Sequence, residues 1–518
     1  MTEFSPRILE LLDERYLRDG ETPDELLDRA AFGCALKVEE YKVFKKMIEN
    51  LQFMPSTPIL VNSGTDMPAL FACFVISVQD DLENIMEAAK TCSRVFKYSG
   101  GIGINMSAIR PRGSMVRTTS TIASGAVSFL EIFNAVGEVV RQGSRRAAIL
   151  ASLNIEHEDI DEFLAAKNLQ YTTEEHLKNM NISVLIGDDF ISKVIQTDHP
   201  DHKEANIRLD KVCDSIWSSG EPGLIFMDIA EGSNPTTEYD PLVTGNACSE
   251  LIMTNYEGCC LGAINLFQMI KLEYSGFNWR LLEKTVRNGV KFLDNVISIS
   301  VYPTAEIESK VKLYRRIGLG VMGLHSALIA FGVQYDSKVA REIVAEALSK
   351  IRLWAIDESE QLAEKLGPFP GYRSDMGFPP RRNITLTSAQ PTGTSSMIAG
   401  GTGVISSGIE PFFDNTYFKD VVGGELHEVP DWVHCALDIS MEDHIAMLEA
   451  VQANVCSAVS KTINCPESTT REEIKTAILR MYDNGIVKSC TFYRSNSRDK
   501  QILNSIRNGI CKNGNCDL

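Results

Sequence analysis

Short runs of β-branched and aromatic residues alternate with amphipathic stretches along most of this chain, and that alternation constrains the fold more than any other feature. Phe74-Val-Ile-Ser-Val78, Asn181-Ile-Ser-Val-Leu-Ile186 and Leu224-Ile-Phe-Met227 read as strands. Helical patterns lie among them. Asp81 can cap a helix carrying Leu82, Ile85, Met86 and Ala89, and another fits Ala126, Phe129, Leu130, Phe133 and Val140. Residues 5–50 also read as helical, with Leu9, Leu11, Leu12 and Tyr16, then Leu26, Leu27, Ala30 and Ala31, at helical spacing. Strands alternating with helices predict an α/β sheet or barrel. With 518 residues the chain has ample length for one large core.

Charge narrows the partners. Lys and Arg total 51 against 69 Asp and Glu, a net charge of −18. A surface of that sign opposes non-specific binding of long nucleic acids, but not of small anions, which need only local donors. No apolar run reaches membrane-spanning length, and Met1-Thr-Glu-Phe-Ser-Pro6 lacks the basic and apolar regions of a signal peptide. A cytoplasmic protein with no membrane partner is therefore expected. Thirteen cysteines in that compartment do not form a disulfide framework, and some should be redox-active. Neither Cys-x-x-Cys nor His-Glu-x-x-His occurs, so no dedicated metal site is expected.

The chemistry-bearing residues fall in a few places. Asn246-Ala-Cys248-Ser-Glu250 sets a thiol between an amide and a carboxylate on alternate residues. In an extended strand all three would project to one face. Alone, the same pattern describes a strand end with a buried structural cysteine. Cys73 lies in the strand-like Phe71-Ala-Cys-Phe-Val75, and Cys259 opens Cys259-Cys-Leu-Gly-Ala-Ile-Asn-Leu266. The polar tail from about Asp499 carries Cys511-Lys-Asn-Gly-Asn-Cys516. A thiol pair on a mobile arm can exchange with a buried disulfide and swing out to be reduced; it can also be an accidental pair or a weak metal-binding end. Two glycine-rich stretches, Tyr98-Ser-Gly-Gly-Ile-Gly103 and Pro391-Thr-Gly-Thr-Ser-Ser396, offer backbone N–H groups and hydroxyls to a phosphate. Each alone is also an ordinary turn. Arg110 and Arg117 follow the first, and Arg145 and Arg146 follow the next helix.

Taken together and in order, these segments resemble the catalytic subunit of ribonucleotide reductases, from about residue 10 to the C-terminus. The resemblance is carried by Pro55-Ser-Thr-Pro-Ile-Leu-Val-Asn-Ser-Gly64, Ser99-Gly-Gly-Ile-Gly-Ile-Asn105, Ala123-Ser-Gly-Ala-Val-Ser-Phe129, Asn246-Ala-Cys-Ser-Glu250 and the Cys259–Leu266 run. It continues through Arg315-Arg-Ile-Gly-Leu-Gly-Val-Met-Gly323, Pro391-Thr-Gly-Thr394, Ser407-Gly-Ile-Glu-Pro411 and Ser460-Lys-Thr-Ile-Asn464. It implies a ten-stranded α/β barrel over residues 51–498 with a central finger loop. A helical region over 1–50 would precede it, and a redox-active tail over 499–518 would follow.

The resemblance also implies roles. Cys248 would carry a thiyl radical that takes the substrate 3′-hydrogen, Glu250 would be the base for the 3′-hydroxyl, and Asn246 would hydrogen-bond the sugar. Cys73 and Cys259 would supply the reducing thiols, and Cys511 and Cys516 would regenerate them from a dithiol protein such as thioredoxin or glutaredoxin. Thr57, Ser99, Gly100 and the Pro391, Thr392, Gly393, Thr394, Ser395 and Ser396 loop would hold the substrate phosphates, with a diphosphate expected. Asp80, Arg110 and Arg117 would bind a deoxynucleotide effector in a homodimer. The loop Gln142–Ala148 reads one residue shorter than usual, which bears on coupling between effector and substrate choice.

The family divides by radical source. The oxygen-dependent class needs a separate radical-generating metalloprotein subunit and two adjacent tyrosines near the C-terminus. This chain has Thr491-Phe-Tyr493-Arg494, with a single tyrosine. The glycyl-radical class lacks the carboxylate at Glu250. The Pro391 and Ser460 motifs look most like the adenosylcobalamin-dependent class, so that cofactor is expected, with Tyr493 as a relay residue only in the metalloprotein alternative. An N-terminal ATP-binding cone is not expected. A glycyl-radical lyase would need an Arg-x-x-Gly-Tyr-like segment, and a nucleotide-binding or thiol-buffering protein would yield no deoxynucleotide.

Overall fold

The structure is a computed structural model. It describes residues 2–140, 147–167, 177, 180–271, 276–414, 416–419, 425–495, 497 and 503–505. Five strands, Cys73–Ser77, Gly101–Asn105, Ala148–Asn154, Met180–Ile186 and Gly223–Phe226, pair in that order and all run parallel. Ser489–Arg494 then adds antiparallel to Gly223–Phe226, and Thr462–Cys465 lies parallel beside it. On the other edge Gly258–Asn265 pairs antiparallel with Cys73–Ser77 and parallel with Ile317–Met322. Residues 385–390 span the remaining gap. Leu319 bridges Thr387 and Ala389 bridges Val459, both parallel. The ring therefore closes from two halves, parallel within and antiparallel between. Phe53–Pro55 adds to Gly258–Asn265, which gives ten strands in the mixed sheet.

Closure gives each strand an inner and an outer face, and the sequences obey the two-residue period. Ile102 and Ile104, Ile149, Ala151 and Leu153, and Ile182, Val184 and Ile186 belong to the large core shared with the surrounding helices. The intervening Gly101, Gly103, Asn105, Ser152, Asn181 and Ser183 face inward. Most inner positions are small or polar because a hairpin fills the centre, while Leu150 and Leu185 pack on its Leu242 and Ile252. Leu242–Gly245 and Ile252–Thr254 pair antiparallel. Asn105 Nδ2 donates to the Val243 carbonyl at 2.8 Å, and the hydroxyls of Ser152 and Thr244 meet at 2.7 Å. A methyl group added to Gly103 would lie 1.8 Å from the Gly245 carbonyl oxygen.

Residues 5–50 form three helices, Pro6–Arg15, Pro23–Gly33 and Val38–Glu49. Ser5 and Thr22 cap the first two, each followed by proline at the first helical position, and Thr22 with Glu25 makes a capping box. Ile8, Leu11 and Leu12 pack with Met397, Ile398 and Ala399 in one buried cluster, and Ser5 N–H donates to the Gly401 carbonyl at 3.1 Å. Asp81 caps Leu82–Lys97 as its position predicts, accepting from Asn84 N–H. Part of the tail read as mobile is among the described residues. Leu503–Ser505 pairs antiparallel with Thr416–Lys419, using backbone groups that need no apolar periodicity. No helix among the described residues is long and apolar enough to cross a membrane.

Gly103→Ala should force the hairpin off its strand and lower stability by about 1–3 kcal/mol. Gly232→Ala, whose added methyl would meet nothing closer than 3.5 Å, should cost far less. Urea denaturation of both variants measures the difference.

Candidate active site

Asn246–Leu251 is the tip of the central hairpin, not an extended strand. Asn246 N–H donates to the Leu251 carbonyl and Ser249 N–H to the Asn246 carbonyl, each at 2.9 Å. Ser249 takes the left-handed backbone conformation at φ 60°. The alternation read from the sequence is therefore replaced by a tight turn, because the chain must reverse inside the barrel. The barrel wall holds the tip on two sides. Ser489 Oγ donates to the Ser249 carbonyl at 3.1 Å, and Ala458 N–H donates to the Glu250 carbonyl at 3.0 Å.

The turn still gathers the residues. Asn246 Nδ2 donates to Cys73 Sγ at 3.0 Å, while its Oδ1 accepts from Leu251 N–H at 3.1 Å. Cys73 Sγ donates in turn to Glu250 Oε1 at 3.8 Å. Cys73 and Cys259 face each other as a cross-strand pair. Directly opposed residues of that kind lie about 4.5–5.5 Å apart at Cα, within the span of a disulfide. Strand alternation separates the adjacent thiols. Cys259 packs inward with Cys73, Val75 and Leu251, whereas Cys260 turns out into the helix-side core and donates to the Leu293 carbonyl. Asn246, Cys73, Cys259 and Glu250 are buried; Cys248 at the fingertip is exposed.

Burial sets the protonation states. Glu250 is 1 % exposed, and desolvation lifts its carboxyl to about 7 against the pull of hydrogen bonds from Asn246 and Cys73. Among the described residues its second oxygen, Oε2, has no hydrogen-bond partner. Burial also pushes the Cys73 thiol well up, and Glu250, Cys248 and Cys259 push the same way. Cys73 therefore stays protonated and can donate a proton, while Glu250 is poised to accept one near neutral pH. The set offers a proton donor, a proton acceptor and two opposed thiols around one exposed thiol.

The two glycine-rich stretches part company. Gly101 and Gly103 lie within a strand and make room for the hairpin. Gly101 faces Ala247 as Gly103 faces Gly245. Ser99 and Gly100 occupy the turn just after the C-terminal end of Leu82–Lys97, with Ser99 at φ 61°. Thr392 instead is the N-cap of Gly393–Ala399, so Gly393, Thr394, Ser395 and Ser396 form the opening turn of a short helix behind Pro391. Backbone N–H groups at such an end suit an anion. Thr57 starts another short helix, Thr57–Asn62, and its hydroxyl meets Tyr16 Oη at 3.0 Å. The sequence reading placed Tyr16 only on a helix face and Asn105 only at the end of a motif, and it did not single out the inner-wall residues Ser152 and Ser489. Polar residues on the inner positions of otherwise apolar strands were the available signal for the last two.

Asp80 and Arg110 lie together, with Arg110 Nε donating to Asp80 Oδ2 at 2.6 Å. Arg117 is exposed beside them in sequence, between the short strands Met115–Val116 and Thr121–Ile122. Tyr493 packs near Phe412, Phe413 and Val433. Arg494 turns to the other face, donates from Nε to the Trp217 carbonyl at 2.8 Å and stacks 4.1 Å from the Trp217 ring. Cys511, Cys516, Arg145, Arg146 and residues 142–146 of the Gln142–Ala148 loop lie outside the described residues. Among the described residues no group of three or more His, Cys, Asp or Glu could hold a metal ion.

Comparison with known proteins places the chain as a whole. The sequence matches "Ribonucleotide reductase, barrel domain" over residues 71–206, 201–377 and 427–493, and "Ribonucleotide reductase, all-alpha domain" over 2–68. It is 34 % identical to the "Vitamin B12-dependent ribonucleoside-diphosphate reductase" of Mycobacterium tuberculosis (strain CDC 1551 / Oshkosh), over 96 % of this chain and 80 % of that protein. The protein of the same name from Thermoplasma acidophilum is 33 % identical over 89 % of this chain and 66 % of its own length. Among solved structures, the "Actinobacillus ureae class Id ribonucleotide reductase alpha subunit" superposes with a TM-score of 0.79 at 22 % identity, covering 96 % of this chain and 98 % of that one, a likeness of fold. A barrel closed around a cysteine-bearing finger, the helical region before it and matches across most of the length converge on one conclusion: this chain belongs to the ribonucleotide reductase family.

Proposed function

We propose that the protein reduces ribonucleoside diphosphates to 2′-deoxyribonucleotides through a thiyl radical on Cys248, with adenosylcobalamin as the radical source. The observation that carries the reading is the Asn246–Cys73–Glu250 hydrogen-bond chain at the base of an exposed Cys248. Cys248 takes the 3′-hydrogen atom of the sugar. Glu250 accepts the 3′-hydroxyl proton, and Asn246 orients that hydroxyl. Cys73 protonates the departing 2′-hydroxyl, which leaves as water. Cys73 and Cys259 then give up two electrons and close a disulfide between opposed strands, and Cys248 returns the hydrogen atom to C3′. Thr57, Ser99, Gly100 and the helix start at Thr392–Ser396 hold the phosphates. Cys511 and Cys516 pass electrons from a thioredoxin-like dithiol to the internal pair.

The cofactor reading rests on reach. Cys248 is the exposed thiol of the cluster, as a bulky group entering from the barrel mouth requires. When bound, adenosylcobalamin supplies the one-electron oxidising equivalent for Cys248. The relatives named as vitamin B12-dependent support the same class. Arg494, held against Trp217, does not extend a tyrosine relay from Tyr493. We further propose a cytoplasmic homodimer, formed over the exposed Leu82, Met86, Met115, Ile122 and Val139, with a deoxynucleotide effector at Asp80, Arg110 and Arg117. The catalytic unit spans residues 51–498, the helical unit 1–50 and the redox tail 499–518.

Cys248→Ser should bind nucleotide with unchanged affinity and form no deoxynucleotide. Product from this variant would reassign the radical. Because Glu250 must be ionised to take a proton, kcat/KM should climb through a midpoint of about 7 and level off above it. A profile flat from about pH 5 to about 8 would remove Glu250 from the base role. Turnover should require adenosylcobalamin, proceed without oxygen, ignore an added metalloprotein subunit and survive Tyr493→Phe. Activity that appears only with such a subunit, and vanishes in Tyr493→Phe, would select the alternative radical source.

A further inference from the structure

Three segments of the barrel wall that run in one direction begin at the same rim: Ile317–Met322, residues 385–390 and Ser489–Arg494. Arg316, Thr385 and Lys488 stand at those three starts. With Ser457, and with Leu242 and Ile252 of the hairpin, they line one cavity of about 20 Å³. That is room for roughly one particle of water size. Both cations are buried, Arg316 at 3 % exposure and Lys488 at 8 %. Apart from the Cys456 thiol, no lining side chain can carry a negative charge.

The charges around this cavity do not balance. Glu257 offsets Arg316, accepting from its Nε at 2.6 Å and its Nη2 at 3.2 Å, while Arg316 Nη1 donates to Thr385 Oγ1 at 3.1 Å. Lys488 donates to the carbonyls of Cys456 at 2.9 Å and Ser457 at 3.0 Å. An ammonium has three N–H groups, so one remains. Among the described residues Lys488 has no carboxylate partner. Neither does Arg381, which donates to the Ile384 carbonyl and stacks 3.7 Å from the Phe378 ring. The Arg381 charge acts on the Cys456 thiol. The two cations therefore bring two positive charges, and an ionised Cys456 would offset only one. A buried cation left so calls for a counter-ion.

We propose that this cavity is a binding site for a single halide ion, chloride in solution, held by Lys488, Arg316 and Thr385. The remaining Lys488 N–H, Arg316 Nη1 and the Thr385 hydroxyl proton are the donors it would take. A halide suits them because it accepts from several directions at once and carries one charge in little more than the space of a water. A water would leave Lys488 uncompensated, and a phosphate or carboxylate exceeds the room. The site lies beneath the fingertip. Ala458, next to Ser457, donates its N–H to the Glu250 carbonyl, and Ser489, next to Lys488, donates its hydroxyl to the Ser249 carbonyl. An ion that ties Lys488 to the rim therefore steadies both of these braces. The inference does not depend on the proposed reaction.

Bromide is the probe. Crystals of the full-length protein grown in sodium bromide, with data collected at the bromine edge, should show an anomalous peak between Lys488 and Arg316. In solution, sodium chloride should raise the melting midpoint over sodium gluconate of equal ionic strength by about 1–2 °C. Lys488→Met, which keeps the side-chain length and removes the charge, should lose both the peak and the chloride gain. Absence of the bromide peak from the unmodified protein, with a water in its place, would overturn the assignment whether or not the variant folds. So would a peak or a chloride gain that persists unchanged in folded Lys488→Met.

Discussion

The centre of this protein depends on one close approach, that of the finger hairpin to the Gly101–Asn105 strand. A hairpin inside a barrel carries backbone groups away from bulk water, and each needs a partner. The wall provides them through Asn105, Ala458 and Ser489, and it gives up side-chain volume at Gly101 and Gly103 so that the backbones can touch. With the hairpin seated there, Asn246 reaches Cys73, and Glu250 is sealed from solvent. The raised pKa of the carboxyl follows from that seating. Move the hairpin outward and water would reach Glu250 and return it toward an ordinary carboxylate.

Much of this was legible in the sequence, for reasons that differ from residue to residue. The strands near Phe74, Asn181 and Leu224 were visible as short runs of β-branched and aromatic residues, which suit a buried pleated surface. The ordinary ladder rules do not announce residues 385–390, which close the ring through isolated bridges and contain Thr385, Thr387, Ser388 and Gln390 among few apolar residues. Asn246, Cys248 and Glu250 were gathered for the wrong geometric reason. Alternation suggested a strand, while a turn with Ser249 in the left-handed region brings the groups to one place. The first glycine-rich stretch carried two demands in one string. Ser99 and Gly100 form a turn, and Gly101 and Gly103 answer a packing demand from a segment nearly 150 residues away, which no local pattern can reveal.

The thiols illustrate how position overrides residue type. Cys259 and Cys260 are chemically identical neighbours, yet the strand sends one to the centre and the other into the apolar layer. Cys73 and Cys260 are buried, and Cys456 is partly so. Desolvation pushes the first two thiols up, whereas hydrogen bonds and the Arg381 charge outweigh burial at the third and bring it below its ordinary value. A single redox label for the cysteines of this chain would miss that division of labour.

The N-terminal helices have a mechanical place in the assembly. Ile8, Leu11 and Leu12 lie against Met397 and Ile398 on the helix whose first turn offers its N–H groups to an anion, and Tyr16 touches Thr57 at the start of the neighbouring helix. If the proposed phosphate sits at that helix start, docking of the helical region and its occupancy are two readouts of one equilibrium. Whatever holds the Gly393–Ala399 helix in place for one favours the other by the same free energy. Fraying of Pro6–Arg15 would loosen the grip on a phosphate, and a bound phosphate would protect the amides of Pro6–Arg15 from exchange with solvent.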